Sequence, residues 1–582
     1  MDSLCHLIEE FSLFTLNVIN DKKVISIMKK TNEMRFSKKG KNVVDANNNV
    51  VDKSLSCLRK IKISKDWINL VYYDDNVSNF SDMINDLKGD DLPVSAFLDK
   101  KSGIFSGGNT KYEKREIASQ VPCWISENCI ECNQCSFVCP HGVIRPFLTS
   151  SKDNNVKSIP SIMPKDVNYS IGISYKDCTG CGLCFSTCPG KGGKKAIEMV
   201  SYDKSKYSQE EIDYLLEHNI NGSYKPKIMN VKNEGFIMPK FEFSGSCAGC
   251  GEAYYLKNLT QVFNDNLFIA NATGCSSIYG GSVPSLPYSV PWASSLFEDN
   301  SEFGLGILMG INIKRNTIEK YMRDNLSKDK KIFKEWIDNK DNYDICLEIS
   351  KKIDYDKHKF LKEYKDYITP KSVWIVGGDG FAYDIGYGGL DHVISRNDNI
   401  NILVLDTEVY SNTGGQASKS SNIGSVSSFA ILGKQNYKKD LARIAMCYPN
   451  VYVACCNIGY NKEQYLKALK EANEHNGPSL ILVYSPCIEH GIKSGMGESL
   501  IESNLATKCG YYPIFRYNPL NNKFTLDSKN VDFSLYDEFL SHENRYTNLK
   551  KNNPKDASLL LNEQKEWAMK RFEYYNKLDS NK

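Results

Sequence analysis

The sequence lacks the features of a nucleic-acid-binding or membrane protein. Its 73 Lys and Arg nearly balance 70 Asp and Glu, so the overall charge predicts neither nucleic acid nor an anionic membrane as a partner. No apolar run approaches the roughly 18 residues of a spanning helix. Asp2, Glu9 and Glu10 argue against a transit peptide or a secretory signal. We therefore expect a soluble, cytoplasmic chain, with a hydrogenosome- or mitosome-like organelle as the open alternative.

Cysteine is too sparse for a disulfide scaffold, but its clustering is informative. Twenty cysteines occur in 582 residues, and eight of them form two arrays with the spacing Cys-x2-Cys-x2-Cys-x3-Cys-Pro. The first array is Cys129, Cys132, Cys135 and Cys139, and the second is Cys178, Cys181, Cys184 and Cys188. This spacing is typical of ferredoxins with two 4Fe–4S clusters.

In such ferredoxins the fourth cysteine of each array binds the other cluster. The sequence therefore predicts one cluster at Cys129, Cys132, Cys135 and Cys188, and a second at Cys178, Cys181, Cys184 and Cys139. A pair of zinc sites is the alternative, but zinc sites use isolated Cys-x2-Cys pairs. The third cysteine and the Cys-Pro of each array favour clusters, whose function is electron transfer.

Four further cysteines are ambiguous by spacing alone. Cys247 and Cys250 form an isolated Cys-x2-Cys pair, whereas Cys275 and Cys487 stand alone. The pair could be half of a zinc site or a redox dithiol, and the single residues could be ordinary buried thiols. The remaining cysteines show no ligand spacing: Cys5, Cys57, Cys123, Cys346, Cys447, Cys455, Cys456 and Cys509.

Short apolar runs alternate with glycine-rich turns and helical stretches from about residue 240 to 500. Residues 371–376, 401–405 and 478–485 read as buried strands. The first of these runs leads into Gly377-Gly378-Asp379-Gly380 and the second into Asp406-Thr407-Glu408-Val409. This pattern predicts an α/β domain with a doubly wound parallel sheet, which binds ligands at the carboxyl ends of its strands.

The turn at Gly378, Asp379 and Gly380 has the composition of a diphosphate site. Glycines allow backbone N–H groups to approach a phosphate, and one carboxylate with neutral oxygens suits Mg²⁺. Together with the segment that begins at Thr407, the turn predicts thiamine diphosphate. A tight loop without a ligand is the alternative, because Gly-Asp-Gly is common in turns.

These residues resemble a known family, pyruvate:ferredoxin oxidoreductase, from about residue 42 to the C-terminus. The resemblance rests on residues 92–97, 110–115, 128–140, 271–281 and 378–389. It implies that Cys247, Cys250, Cys275 and Cys487 bind a third 4Fe–4S cluster, next to the thiamine. It also implies that the side chains of Asp379 and Thr407 and the backbone of Val409 bind Mg²⁺, and that Asn412 lies near the thiazolium and the substrate.

The resemblance further implies a fold and a division into four regions. We expect an N-terminal linker of small α/β structure over residues 1–120, an α+β ferredoxin-like module over 121–205, the thiamine diphosphate-binding domain over 235–505 and a C-terminal extension over 506–582. The extension ends in a predicted helix over residues 557–578, which we expect to wrap a neighbour.

The implied activity is oxidative decarboxylation of pyruvate to acetyl-CoA, with electrons passing through three 4Fe–4S clusters to ferredoxin or flavodoxin. Family members are about twice as long, and their N-terminal half supplies the pyrimidine-binding and coenzyme A domains. We therefore expect a second chain with that half as a partner, and a dimer. The alternative is a stand-alone iron–sulfur electron carrier that is not catalytic.

Overall fold

A computed structural model describes residues 21–37, 40–57, 80, 83–84, 87–100, 105–203, 206–224, 226, 228–281 and 285–580. The chain divides into two compact units, Met1–Asn76 and Val77–Lys582. In the first unit, helices α1 (Asp21–Phe36) and α2 (Lys41–Cys57) pack through Val24, Met28 and Val51. The predicted N-terminal region lies partly outside the described residues. Those described before Gln120 form helices and turns, without the strands that a small α/β region would contain.

The cysteine arrays lie in a small α+β module, as the sequence predicts. Its strands are β1 (Gln120–Trp124), β2 (Ile144–Ser150), β3 (Ile159–Pro160), β4 (Val167–Ile173) and β5 (Ile197–Ser201), and its helices are α3 (Gln134–Phe137), α4 (Leu183–Thr187) and α5 (Glu210–His218). β1 pairs antiparallel with β5, and β4 pairs antiparallel with both β2 and β3. Each array contains one of the short helices α3 and α4. The internal similarity of the two arrays is therefore also a similarity of local structure.

A larger sheet forms the centre of the second unit. Helices α6 (Val231–Glu234) and α7 (Ala253–Phe263) precede its strands β6 (Leu267–Ala272), β7 (Trp292–Ser295), β8 (Ser372–Gly377), β9 (Asn401–Asp406), β10 (Tyr452–Cys456), β11 (Ser479–Tyr484), β12 (Phe515–Asn518) and β13 (Lys523–Leu526). The strand order is β13-β12-β10-β11-β9-β8-β6-β7. The strands from β10 to β7 run parallel, and β12 and β13 add an antiparallel edge. The three strands predicted from apolar runs are confirmed as β8, β9 and β11.

Both faces of this sheet are covered by helices. The helices between β6 and β12 are α8 (Cys275–Gly280), α9 (Asn300–Asp324), α10 (Lys330–Asn339), α11 (Tyr343–Lys352), α12 (Lys359–Glu363), α13 (Asp379–Ala382), α14 (Tyr387–Ser395), α15 (Leu441–Ala445), α16 (Lys462–Glu474) and α17 (Ser499–Lys508). Within β8, Val373 and Ile375 belong to one core cluster, whereas Trp374 and Val376 belong to another. Alternate side chains point to opposite faces of a strand. The sheet is therefore buried on both sides, as in a doubly wound domain.

The structure continues the sheet beyond residue 505, where the predicted thiamine domain ends. Three helices follow β13: α18 (Tyr536–His542), α19 (Asn544–Asn552) and α20 (Ala557–Ser580). The ring of Tyr575 in α20 stacks on Phe524 of β13 and packs at a tilt against Phe515 of β12. The C-terminal helix that the sequence predicts thus packs on the sheet of its own chain. Among the described residues, no helix is long and apolar enough to cross a membrane.

Candidate functional site

A cavity of about 430 Å³ opens at the carboxyl ends of the parallel strands. It is reached by the segments that follow β6, β8 and β9, where ligands of doubly wound domains bind. The residues lining it are Glu252, Thr273, Gly274, Cys275, Ser276, Phe297, Gly378, Asp379, Gly380, Thr407, Val409, Tyr410, Ser411, Asn412, Thr413, Gln416 and Phe429. Every residue that the sequence assigns to thiamine diphosphate or Mg²⁺ is in this set.

Asp379 places an unsatisfied carboxylate oxygen in the cavity wall. It is the first residue of α13 and only 3% exposed. Its Oδ2 accepts a hydrogen bond of 2.6 Å from Ser418 Oγ, whereas its Oδ1 is buried without a hydrogen-bond partner. Burial, followed by the charge of Asp406, raises the pKa of Asp379 well above its usual range. A buried carboxylate oxygen without a donor is costly unless a cation binds it.

Two further oxygens stand close to each other on the turn after β9. Thr407 Oγ1 donates to the backbone oxygen of Val409 at 2.9 Å, and Ser411 Oγ donates to Thr407 Oγ1 at 3.2 Å. Both Thr407 and Val409 are buried. Carboxylate, hydroxyl and carbonyl oxygens are ligands that Mg²⁺ accepts, so this donor set fits the predicted ion.

The other predicted cofactor residues lie around the same opening. Gly380 has no room for a side chain without crowding, because a Cβ there would lie 3.0 Å from Tyr410 Cε1. Gly378 precedes α13 in extended conformation. Asn412 is exposed and lines the cavity from its outer side. Its amide is therefore available to a group bound in the cavity.

The predicted crossing of the two cysteine arrays agrees with the positions of the sulfurs. Cys129, Cys132 and Cys135 of the first array line one small cavity together with Cys188 of the second. Burial, followed by the neighbouring sulfurs of Cys132, Cys129 and Cys188, raises the pKa of Cys135 well above its usual range.

The second set has the converse composition, with Cys178, Cys181 and Cys184 of the second array and Cys139 of the first. Burial, followed by the nearby sulfurs of Cys139 and Cys181, raises the pKa of Cys178 to about 12. The pKa of Cys184 is raised well above its usual range by burial and then by Cys181, Cys139 and Cys178. Such groups are stable as thiols in the metal-free chain, and they lose their protons when they bind iron.

The four cysteines left ambiguous by spacing also come together. Burial raises the pKa of Cys275, and its charged neighbours are Glu252 and then the sulfurs of Cys250, Cys487 and Cys247. Cys275 also lines the large cavity. The structure therefore brings Cys247, Cys250 and Cys487 close to Cys275, which lies in the wall of the cavity that holds Asp379.

Glu252 is a cavity residue that the sequence did not reveal. It is 6% exposed, accepts a hydrogen bond of 2.9 Å from Tyr279 Oη, and its pKa is raised by burial to about 7. It follows Cys250 by two positions, but a single carboxylate after a Cys-x2-Cys pair has no recognisable spacing. Only the path of the chain shows that it faces the cavity.

A short turn contacts two of the cysteine groups. One is the third cysteine set, Cys247, Cys250, Cys275 and Cys487, and the other is the second set, Cys139, Cys178, Cys181 and Cys184. In this turn, Met496–Glu498, a Cβ on Gly497 would lie 2.5 Å from the backbone oxygen of Cys181. A Cβ on Gly249, between Cys247 and Cys250, would lie 3.0 Å from Met496 Cβ. The set that includes Cys139 and Cys181 is therefore the neighbour of the set at the cavity.

Within the described residues, no group of three or more His, Cys, Asp or Glu is arranged to hold a single metal ion.

Comparison with family models identifies three segments. Residues 365–483 match the C-terminal TPP-binding domain of thiamine pyrophosphate enzymes, and residues 128–192 match a 4Fe-4S dicluster domain. Residues 73–118 match a domain of unknown function. The first two segments contain the turns that carry Asp379 and Thr407 and both cysteine arrays.

Curated proteins match almost the whole chain. Pyruvate:ferredoxin oxidoreductase of Moorella thermoacetica is 42% identical over 97% of this chain. The chain is related to one half of the pyruvate:ferredoxin oxidoreductases. Pyruvate-flavodoxin oxidoreductase of Klebsiella pneumoniae is 39% identical over 96% of the chain, and mitochondrial pyruvate dehydrogenase (NADP(+)) of Euglena gracilis is 38% identical over 93%.

The chain spans about half the length of the first two relatives that it matches. It covers 51% of both the Moorella and the Klebsiella proteins, and 32% of the Euglena protein. Relationship to the pyruvate:ferredoxin oxidoreductases agrees with the thiamine and iron–sulfur domains found in the chain.

Proposed function

We propose that this chain is the component of a pyruvate:ferredoxin oxidoreductase that holds Mg²⁺–thiamine diphosphate and three 4Fe–4S clusters. One observation carries the proposal: a single cavity is lined both by the magnesium-type oxygens of Asp379 and Thr407 and by Cys275 of the third cysteine set. A carbanion-forming cofactor and an electron acceptor are thereby adjacent. When bound, thiamine diphosphate supplies the electron sink for decarboxylation of a 2-oxoacid, and the clusters supply one-electron carriers.

The protein's own contribution is to bind and orient these groups. Asp379 Oδ1, Thr407 Oγ1 and the Val409 carbonyl are the proposed Mg²⁺ ligands. His490 stabilises the turn at Thr407, because its Nε2 donates a hydrogen bond to the Thr407 backbone oxygen at 2.7 Å. Burial and then the nearby charge of Arg545 lower the pKa of His490 to about 3. The ring is therefore neutral, and it adds no positive charge that would compete with the metal.

The twelve clustered cysteines are the proposed iron ligands, four for each cluster. The cavity set, Cys247, Cys250, Cys275 and Cys487, adjoins the set with Cys139 through the turn at Gly497. The set with Cys139 shares the ferredoxin-like module with the set with Cys188. The proposed acceptor beyond this module is a ferredoxin or flavodoxin, because the names of the relatives specify these carriers.

Exposed apolar side chains around the cavity support a requirement for further polypeptide. Phe429 lines the cavity and is 93% exposed, and Ile431 and Leu432 of the same loop are 64% and 58% exposed. Ile385 is also 64% exposed. It precedes Gly386, which packs closely against the backbone of the cavity residue Phe297. Apolar patches that rim a binding site commonly mark a protein interface. We propose that a polypeptide equivalent to the other half of the relatives covers this rim and completes the active site.

Complementation tests this function. The reconstituted chain alone should not reduce viologen dye with pyruvate and coenzyme A, because groups that position the substrate and activate the cofactor are worth large factors in rate. Addition of the other half should produce pyruvate- and coenzyme A-dependent reduction. Asn412→Ala should weaken the complemented activity, and Asn521→Ala, in an exposed turn, should not. Strong activity of the chain alone would contradict the proposal. Failure of complementation, with electron transfer from dithionite to ferredoxin retained, would favour a stand-alone carrier.

A further inference from the structure

The second cysteine array has a lysine that binds two backbone carbonyls between its last two cysteines. Lys195 Nζ donates to the backbone oxygens of Phe185 at 2.6 Å and Ser186 at 3.2 Å. The same ammonium lies 4.2 Å from the centroid of the Phe185 ring. Lys195 is half-exposed and belongs to the ferredoxin-like module itself.

The first array has a lysine at the equivalent place, but it comes from a different domain. Lys257 of α7 donates from Nζ to the backbone oxygens of Ser136 and of Phe137, the latter at 3.1 Å. Its ammonium lies 6.0 Å from the centroid of the Phe137 ring. Ser136 and Phe137 follow Cys135 as Phe185 and Ser186 follow Cys184, so both lysines hold the same two positions of their arrays.

Burial distinguishes the two lysines. Lys257 is only 1% exposed, and among the described residues no carboxylate lies within ion-pair distance of it. Three other buried cations have such partners: Lys438 pairs with Asp406, Arg545 with Glu408 and Arg145 with Glu242. A buried cation without an anion is strongly destabilising. The position of Lys257 therefore calls for a counter-ion.

The cysteine sulfurs are the groups near Lys257 that can become anionic. Burial, opposed by Cys139, lowers the pKa of Lys257 to about 7; the charge of Arg145 also lowers it, and Cys135 also opposes the shift. Bound to iron, both sulfurs are thiolates, and the net charge around a cluster helps to set its reduction potential. Lys257 binds the chain segment between Cys135 and Cys139. These two cysteines belong to the two different proposed clusters.

We propose that Lys257 is the buried counter-ion of the cluster bound by Cys139, Cys178, Cys181 and Cys184, and that it raises the reduction potential of that cluster. Reduction adds a negative charge, which a nearby desolvated ammonium stabilises. Lys195, its solvated equivalent, has a much weaker effect because water and salt screen its charge. The thiamine-binding domain thus tunes one half of an otherwise symmetrical pair. This inference rests on the proposed function, since it requires the clusters.

A redox titration of the reconstituted full chain, followed by electron paramagnetic resonance, tests the proposal. Lys257→Met removes the charge and keeps a side chain of similar length. We expect the reduced-to-oxidised ratio of the Cys139 cluster, at a fixed potential, to fall at least roughly tenfold. Lys195→Met is the matched control, because it removes the same two hydrogen bonds from the other array. It should change the ratio for the Cys188 cluster by much less.

Lys257→Gln guards against a failure of assembly, since its amide can still donate to the carbonyls. Both variants of Lys257 should lower the potential of the Cys139 cluster. Unchanged potentials in a variant with full iron content would overturn the proposal. So would loss of the cluster in both variants, because Lys257 would then be a structural residue. A wild-type chain that shows no cluster signals would refute the proposed function itself, and this inference with it.

Discussion

Arg545 donates from Nη1 to Glu408 Oε2 at 2.8 Å, which joins helix α19 to the turn between Thr407 and Val409. Glu408 has a left-handed backbone conformation (φ 58°) and is buried. Burial acts to raise its pKa, but the charges of Lys438 and Arg545 outweigh burial and lower the pKa to about 2. These ion pairs hold the Glu408 side chain away from the cavity. Its two neighbours in the chain, Thr407 and Val409, present their oxygens to the cavity.

Arg545→Met should destabilise the fold and weaken cofactor binding together. Loss of one partner leaves Glu408 and Glu543 as buried charges with less compensation, which typically costs about 3–5 kcal/mol. The free energy of unfolding, measured by chemical denaturation, checks this value. Arg396→Met is the control, because Arg396 pairs with Asp398 at an exposed site, and such pairs contribute about 0–1 kcal/mol. Equal effects of the two substitutions would contradict the role given to Arg545.

Asp379→Asn should separate cofactor binding from stability. The amide keeps a hydrogen-bond acceptor for Ser418 but removes the anionic oxygen that faces the cavity, so Mg²⁺-dependent binding of thiamine diphosphate should fall by about 100-fold or more. The metal-free chain should be as stable as wild type or more stable, because a buried carboxylate near Asp406 is lost. Calorimetry with and without Mg²⁺ measures the first effect, and thermal unfolding measures the second.

The control for that substitution is Asp391→Asn on α14, where Asp391 accepts hydrogen bonds from Tyr387 and Tyr448 outside the cavity. It should leave binding unchanged. Wild-type affinity for thiamine diphosphate that does not depend on Mg²⁺ would show that Asp379 and Thr407 do not form a metal site.

Single Cys→Ser substitutions should reveal the crossing of the two arrays. Cys139→Ser should disturb the same cluster signal as Cys178→Ser, because their sulfurs belong to one set. Cys188→Ser should disturb the same signal as Cys129→Ser, since these two cysteines line one cavity. Electron paramagnetic resonance of the reduced chain distinguishes the two clusters. If Cys139→Ser instead matched Cys129→Ser, the arrays would each bind their own cluster.

The sequence was most informative where function depends on local spacing. The ligands of each array lie within one short segment, so their chemistry is evident before any fold is known. Likewise, β9 and β11 are buried along their whole length, and a strand buried on both faces is a continuous apolar run. The turns after such strands then predict where Asp379 and Thr407 lie.

The sequence was least informative about the residues that support these groups. Ser418 reaches Asp379 across 39 positions, Lys257 reaches Phe137 across 120, and Arg545 reaches Glu408 across 137. No periodicity connects residues so far apart, because their proximity is a property of the tertiary packing. The same reason explains why β12 and β13 could not be assigned to the large sheet from sequence, and why the packing of α20 on that sheet was not foreseen.

The iron and sulfide content of the chain after anaerobic reconstitution tests the central claim most directly. Three sites with four cysteines each predict about twelve iron and about twelve sulfide per chain. Cys275→Ser should lower the iron count to about eight, whereas Cys456→Ser, buried within β10, should leave it at about twelve. A wild-type count of about eight, unchanged in Cys275→Ser, would contradict a cluster at the wall of the thiamine cavity.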